Sequence, residues 1–144
     1  MNRLFFSPEQ KRFGDFDIVY YNDKFYCTFI ENIKKNESVD GLSYKNSYGL
    51  ACSEDGFRWN YIGCIKRPGR GWNNLNLNAF SITKINNEFA LFYSATSNLS
   101  ENTYSTQQIG YATSNNLESW TDSSKNPVIK NIDNMPYYYS GSYN

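Results

Sequence analysis

An internal repeat constrains the fold of this chain more than any other feature of its sequence. Segments 17–61 and 81–122 each contain an apolar strand, an asparagine-containing turn, an alternating aromatic strand, a polar loop and a strand that leads to a tryptophan. Four residue types recur at one constant offset. They are Gly49, Ala51, Ser53 and Trp59 in the first segment, and Gly110, Ala112, Ser114 and Trp120 in the second. Four matches at one offset, within the same order of strands and turns, indicate a duplicated structural unit.

Each unit is predicted to hold four antiparallel strands. The predicted strands are 17–21, 24–31, 47–54 and 58–65 in the first unit, and 79–85, 88–96, 107–114 and 118–122 in the second. Asn22-Asp23 and Asn86-Asn87 tolerate positive φ, and Asp55-Gly56 is a strong hairpin signal. Four-stranded units that repeat at this length are typical of β-propeller blades. A β-sandwich of eight strands is the alternative, but it would not explain the shared Gly-x-Ala-x-Ser…Trp spacing.

Composition narrows the class of partner. The 144 residues include 14 basic and 14 acidic side chains, for a formal net charge of +0. This balance argues against nucleic acid or a membrane surface held by bulk charge, and no apolar run is long enough to span a bilayer. There is no signal peptide and the three cysteines form no CxxC pair, so we expect a cytoplasmic protein with buried free thiols.

The sequence contains no histidine, which narrows the chemistry that the chain can perform. Without imidazole there are no Ser-His or Cys-His nucleophile pairs and no zinc sites of the histidine type. If the chain takes part in catalysis, carboxylates are expected to carry the protons. No cofactor and no metal site are predicted.

Two motifs carry a resemblance to a known group of enzymes. Residues 15–26, DFDIVYYNDKFY, align without a gap to a first-blade pattern that reads DPxVVYYNGKYY. Residues 109–120, IGYATSNNLESW, match the pattern IGxATSxDLxxW of successive blades and are followed by NPVI at 126–129. Over about residues 13–130 the chain therefore resembles the five-bladed β-propeller glycoside hydrolases of families 43, 32 and 68. It departs from them at Phe16, which replaces the usual proline, and it has no Arg-Asp-Pro.

The resemblance implies an all-β fold made of antiparallel four-stranded β-propeller blades, with two repeats of a five-bladed propeller. Residues 1–144 would form a partial domain. Blade 1 is expected at about 15–66 and blade 2 at about 72–129, and 130–144 would connect to a blade that this chain lacks.

The resemblance also implies roles for particular residues. Asp15 aligns with the first-blade aspartate that points into the central cavity of the related propellers, which makes it the expected base or nucleophile. Asp17 faces the same side by strand period and is the second candidate, while capping of a turn is the alternative for both. Trp72, Asn76 and Asn78 precede the second inner strand, where related enzymes place sugar-binding residues. Packing between the blades is an equally open interpretation of Trp72.

Other polar segments are predicted to have ordinary roles. The basic run 66–71, KRPGRG, is expected to be a solvated linker between blades, with contact to a sugar phosphate as the alternative. The turn 53–59, SEDGFRW, resembles a sialidase Asp-box that is one residue short. The remaining acids are assigned to turns and loops, so neither a general-acid glutamate nor a middle-blade aspartate is identifiable.

Three functions remain open on the sequence. The first is a glycosidase-like protein that hydrolyses O-glycosidic bonds in a saccharide with a carboxylate pair that is incomplete in this chain. The second is a non-catalytic carbohydrate-binding or interaction module on a propeller scaffold, and the third is a small self-contained β-domain. Because repeat folds need about three units for stability, we expect the isolated chain to self-associate, to pair with a chain that supplies further blades, or to be marginally stable.

Overall fold

Two antiparallel β-sheets of four strands each make up the structure, a computed structural model that describes residues 13–32, 46–97 and 107–130. The strands are β1 (Phe13–Tyr21), β2 (Lys24–Asn32), β3 (Asn46–Ser53), β4 (Asn60–Lys66), β5 (Asn76–Ile85), β6 (Glu88–Thr96), β7 (Gln108–Ser114) and β8 (Thr121–Asp122). Each strand pairs with its neighbour in the chain, and we call β1–β4 blade 1 and β5–β8 blade 2. No helix in these ranges is long and apolar enough to cross a membrane.

The predicted all-β fold of two four-stranded repeats is confirmed. The two inner strands, β1 and β5, start earlier than predicted because each has a bulge near its start, between Phe13 and Phe16 and between Leu77 and Phe80. A bulge breaks the period of two on which strand prediction depends. Of the predicted connection at 130–144, residues 131–144 lie outside the described residues.

The turns between the first two strands of each blade have the backbone conformation that their sequences predict. Asn22 and Asp23 have φ of 49° and 60°, and Asn86 has φ of 56°. Positive φ at both central residues, as in Asn22-Asp23, is the mark of a type I′ turn, whose twist matches that of the flanking strands. In the blade 2 turn only the first central residue, Asn86, has positive φ. Asparagine and aspartate tolerate this region better than other residues that have a side chain.

Two further turns explain why serine and tryptophan recur in the repeat. Ser53 Oγ accepts hydrogen bonds from the backbone N–H groups of residues 55 and 56, and Asp55 Oδ1 accepts from those of residues 57 and 58. Ser114 and Asn116 make the same four bonds in blade 2. In both turns the tryptophan indole N–H donates to a carbonyl three residues earlier. The backbone bonds from residues 58 and 57 lower the pKa of Asp55.

Blade 1 and blade 2 pack face to face through a shared apolar core. Its most buried large side chains are Tyr48 and Leu50 of blade 1 and Leu77, Phe89, Leu91 and Tyr93 of blade 2. The rings of Tyr21 and Phe89 meet edge to face with centroids 5.0 Å apart, and those of Tyr48 and Phe80 are 4.5 Å apart. Burial of each such side chain stabilises the fold by about 1.5–3 kcal/mol, so this contact is the main source of cohesion between the blades.

Lys66 departs from the prediction that the basic run is a solvated linker, whereas Arg67 and Arg70 are exposed as that prediction requires. It is the last residue of β4 and only 8% exposed. Its Nζ lies 2.7 and 2.8 Å from the two carboxylate oxygens of Asp122 and 4.5 Å from the ring centroid of Tyr93. The Tyr93 hydroxyl also donates to Asp122, at 2.8 Å. The first residue of the run therefore joins the outer strands of the two blades.

The three cysteines are free thiols that are half-buried in the strands of blade 1. Burial raises the pKa of the Cys27 thiol to about 11, and the negative charge of Asp17 adds to the effect. Burial also raises the pKa of Cys64. Cys27 and Cys64 are therefore packing residues with little thiolate character at neutral pH.

Replacement of Lys66 tests the bond between the outer strands. We expect Lys66→Met to lower the free energy of unfolding by about 2–3 kcal/mol, less than for a fully buried pair because Asp122 is half exposed. Urea denaturation followed by tryptophan fluorescence measures the change. Lys24→Met is the matched control, because the Lys24–Glu54 pair at 3.5 Å is exposed and should change stability by no more than about 0.5 kcal/mol. Equal effects of the two substitutions would contradict this assignment.

The raised pKa of Cys27 predicts slow alkylation. In a chain with Cys52→Ser and Cys64→Ser, we expect iodoacetamide to modify folded Cys27 about 100-fold more slowly at pH 8 than an ordinary thiol. The rate should rise with pH until about 11. Because the folded state disfavours the thiolate, the contribution of Cys27 to stability is full below about pH 9 and is lost as the pH rises towards 11. Mass spectrometry follows the reaction, and a rate that levels off near pH 9 would contradict the prediction.

Candidate functional site

The candidate site lies at the starts of the inner strands β1 and β5. These strands are at the edges of their sheets and contact each other across the two blades. Asp15 is exposed within the bulge of β1, and Asn76 and Asn78 are half-buried at the start of β5. The structure thus places these three predicted site residues at the same end of two neighbouring strands.

Tyr48 connects the two strand starts, and sequence reasoning missed it. Its side chain is fully buried, and its hydroxyl donates to the backbone carbonyl of Asn78 at 2.7 Å. Burial raises the pKa of Tyr48, and the neighbouring Tyr93 and the charge of Asp15 raise it further. Tyr48 is therefore a neutral donor that fixes the start of β5 close to Asp15. Its place next to the repeated Gly49, at the start of the central run YGLA of β3, is the signal that could have identified it.

Asp17 makes a specific bond between the blades. Its Oδ2 accepts a hydrogen bond from the backbone N–H of Ile82 at 2.8 Å. Ile82 lies on β5, an edge strand that pairs only with β6 among the described strands. Asp17 therefore satisfies an N–H group at the free edge of this sheet. This bond gives Asp17 a structural role that differs from the predicted turn cap. The catalytic role of Asp17 stays a prediction.

Trp72 lies against blade 2 and is half-buried. Its ring stacks on Tyr93 with centroids 5.8 Å apart and an interplanar angle of 28°. A Cβ atom at Gly110 would lie 2.8 Å from the Trp72 ring and 2.5 Å from that of Tyr93, so the repeated glycine leaves room for both rings. These contacts are with residues of blade 2, and Trp72 also packs against the core that the two blades share. The sugar-binding role of Trp72 stays a prediction. Only the exposed part of its ring could contact a sugar.

Glu31 is a buried carboxylate that the sequence did not single out. It is 2% exposed, and it accepts hydrogen bonds from Ser47 Oγ at 3.2 Å and from the Tyr61 hydroxyl at 2.8 Å. Burial raises the pKa of Tyr61, and the bond to Glu31 adds to this. Glu31 alternates with Cys27 and Phe29 along β2, so it lies on the sheet face opposite to that of Asp17. An acid on an apolar strand face is the pattern that could have revealed it.

The remaining described acids are not placed to act with Asp15. Asp122 is paired with Lys66. Five others lie at turns at the opposite end of the sheets, namely Asp23, Glu54, Asp55, Glu88 and Glu118. Within residues 13–32, 46–97 and 107–130, no group of three or more acids or cysteines is arranged to hold a metal ion. A second carboxylate for this site would have to come from outside the described residues, unless Asp17 serves.

Solved structures share this fold, although no protein-family model and no curated protein sequence match the chain. Fructan 1-exohydrolase IIa from Cichorium intybus is similar over 86% of this chain and 23% of its own, with 21% identity and a TM-score of 0.68. A glycosyl hydrolase from Bacteroides ovatus is similar over 79% of this chain and 32% of its own chain, with 16% identity and a TM-score of 0.62. A GH43 β-xylosidase/α-arabinofuranosidase from a compost metagenome, in complex with xylotriose, is similar over 81% of this chain and 36% of its own chain. Its identity is 14% and its TM-score is 0.59.

These similarities concern architecture. The chain spans between 23% and 36% of the length of these three glycoside hydrolases. At identities of 21% and below, the shared property is the fold. The described residues form two antiparallel four-stranded β-propeller blades of the kind found in five-bladed glycoside hydrolases.

Replacement of Asp17 separates its structural role from that of Asp15. We expect Asp17→Ala to lower the free energy of unfolding by about 1–2 kcal/mol, because it leaves the Ile82 N–H without an acceptor. Asp17→Asn keeps an acceptor oxygen and should lose less than half of that amount. Asp15→Ala is the control and should change stability by no more than about 0.5 kcal/mol, because Asp15 is exposed. Urea denaturation measures all three, and equal losses for the two alanine variants would contradict this role for Asp17.

Proposed function

We propose that this chain contributes the first-blade part of a glycoside hydrolase site, with Asp15 as the base or nucleophile that acts on an O-glycosidic bond. The observation that carries the proposal is the exposed Asp15 carboxylate in the bulge at the start of an inner propeller strand. The fold shared with glycoside hydrolases supports it by analogy. Asp17 is the second candidate for the same role.

The chemistry requires two carboxyl groups on either side of the scissile bond. One protonates the leaving oxygen, and the other attacks the anomeric carbon or activates water. At the end of the blades where Asp15 lies, Glu31 is buried and hydrogen-bonded within blade 1, and Asp17 is bonded to blade 2. We therefore place the general acid on a further blade, supplied by a longer polypeptide or by another chain.

A saccharide is the proposed ligand. Fructan 1-exohydrolase IIa has been solved with 1-kestose and the GH43 enzyme with xylotriose, which supports an oligosaccharide as the class of molecule to test. Amide groups such as those of Asn76 and Asn78 can donate to and accept from sugar hydroxyls. The exposed part of Trp72 would offer an aromatic face. The free thiols of Cys27, Cys52 and Cys64 support a reducing, cytoplasmic compartment.

A non-catalytic carbohydrate-binding module is the second candidate function. It is favoured by the bonds that already occupy Glu31 and Asp17, which leave Asp15 as the exposed carboxylate at this end of the described blades. In this case the chain would bind a saccharide without cleaving it.

Binding and turnover distinguish the two functions. We expect 1-kestose or xylotriose to alter the tryptophan fluorescence of the chain, and Asp15→Asn to weaken that response. Cleavage is expected only when further blades are present, and Asp15→Asn should then lower kcat by about three orders of magnitude or more. Asp23→Asn is the matched control, because Asp23 lies in a turn at the far end of blade 1.

Two results would overturn parts of this proposal. Cleavage that survives Asp15→Asn would remove Asp15 from its role as base or nucleophile. Saccharide binding without cleavage, even with the further blades present, would establish the binding module instead. Sugar release is followed by chromatography of the reaction products.

A further inference from the structure

Blade 1 has an exposed apolar face on the side away from blade 2, and no other described strand packs on it. A groove of about 340 Å³ runs along this face, and its lining includes Phe16, Ile18, Cys27, Phe29, Ala51 and Trp59. Phe16 is 68% exposed and Ile18 is 46% exposed. Exposed apolar side chains that form one continuous surface mark a site of interaction. We call this surface the blade 1 groove.

The repeat shows what kind of surface the blade 1 groove is. In blade 1, Ile18 pairs with Cys27, which pairs with Ala51. In blade 2, the corresponding row is Ile82, Leu91 and Ala112. The blade 2 row is buried beneath blade 1, with Ile82 8% exposed and Leu91 0% exposed. The blade 1 groove is therefore the counterpart of a face that another sheet covers.

A difference in one turn makes the groove deeper than its counterpart. Gly56 of blade 1 and Leu117 of blade 2 occupy the same place in the Ser…Trp turn, with φ of 75° and 66°. The Leu117 side chain is 0% exposed and belongs to the shared core. Gly56 has no side chain and lines the groove. The groove thus has space for a large side chain from whatever covers it.

The same chain carries the complementary face. Blade 1 covers blade 2 with the face that contains Asp17, Tyr21 and Tyr48. The counterpart of that face on blade 2 points away from blade 1, and we call it the blade 2 outer face. It includes Phe92, which is 44% exposed and lies 5.0 Å from Tyr111, centroid to centroid. One molecule therefore has both halves of a sheet-to-sheet contact, on its two outer sides.

We propose that a second copy of this chain docks head to tail, with its blade 2 outer face in the blade 1 groove. The contact repeats the packing that already joins the two blades within one chain. It joins two different surfaces, so it can add further copies until the assembly closes into a ring. This proposal rests on the sheet packing and is independent of the proposed activity.

Two acidic substitutions and their mixture test the proposal. We expect the mass of the wild-type chain in sedimentation equilibrium to rise with concentration above that of one chain. Ile18→Glu removes the groove and Phe92→Glu removes the outer face, so each variant alone should remain a single chain. An equimolar mixture should form a one-to-one dimer, because each variant keeps the half that the other lacks. Ile62→Glu is the control, because Ile62 is 40% exposed on β4 and should associate like the wild type.

Each alternative mode of contact predicts a different result, and any of these results would overturn the proposal. If the wild-type chain stays a single chain at all concentrations, the partner of the groove would be a blade of another polypeptide. Association that Ile18→Glu abolishes and Phe92→Glu preserves would mean that two grooves pack on each other. Association that neither substitution affects would place the contact elsewhere. Near-ultraviolet circular dichroism of each variant confirms its fold, and both positions are exposed, which limits the effect on stability.

Discussion

The packing of blade 1 on blade 2 depends on three polar bonds across an apolar interface. Near the inner strands, Asp17 accepts from the Ile82 N–H and Tyr48 donates to the Asn78 carbonyl. At the outer strands, Lys66 binds Asp122. Apolar contact is non-directional and tolerates sliding of one sheet on the other. Hydrogen bonds and ion pairs have defined geometry, and a buried ammonium without its carboxylate is costly. These bonds therefore fix the relative position of the sheets, while the core supplies most of the cohesion.

The features that could be predicted from the sequence are local ones. Strand alternation, the asparagine-containing turns and the repeated Ser…Trp turns each involve residues close together in the chain, so residue types alone are informative. The bonds between the blades were beyond sequence reasoning, because Lys66 and Asp122 are 56 residues apart, and Asp17 and Ile82 are 65 apart. The charge of the run 66–71 suggested that it is exposed to solvent, and only the proximity of Asp122 accounts for the burial of Lys66.

Some residues of the candidate site could likewise be predicted from the sequence, and others could not. The placement of Asp15 at the start of an inner strand followed from alignment of a continuous motif, and Asn76 and Asn78 followed from the position of the next inner strand. Tyr48 and Glu31 were missed because their partners are distant in the chain, with Glu31 bonded to residues 16 and 30 positions away. Buried polar groups of this kind are recognisable only when the surrounding strands are in place.

The bulge at the start of each inner strand contains residues whose side chains can change without disturbing the strand pairing. Residues 14 and 15 of β1 and residues 78 and 79 of β5 have no partner in the strand register, while pairing continues on both sides of them. Position 15 is an aspartate and the matching position 79 is an alanine, on strands that are otherwise built alike. A propeller of such blades can gain, lose or exchange a reactive side chain at each strand start without repacking a sheet. This freedom offers a physical reason why one scaffold can accommodate many substrates during evolution.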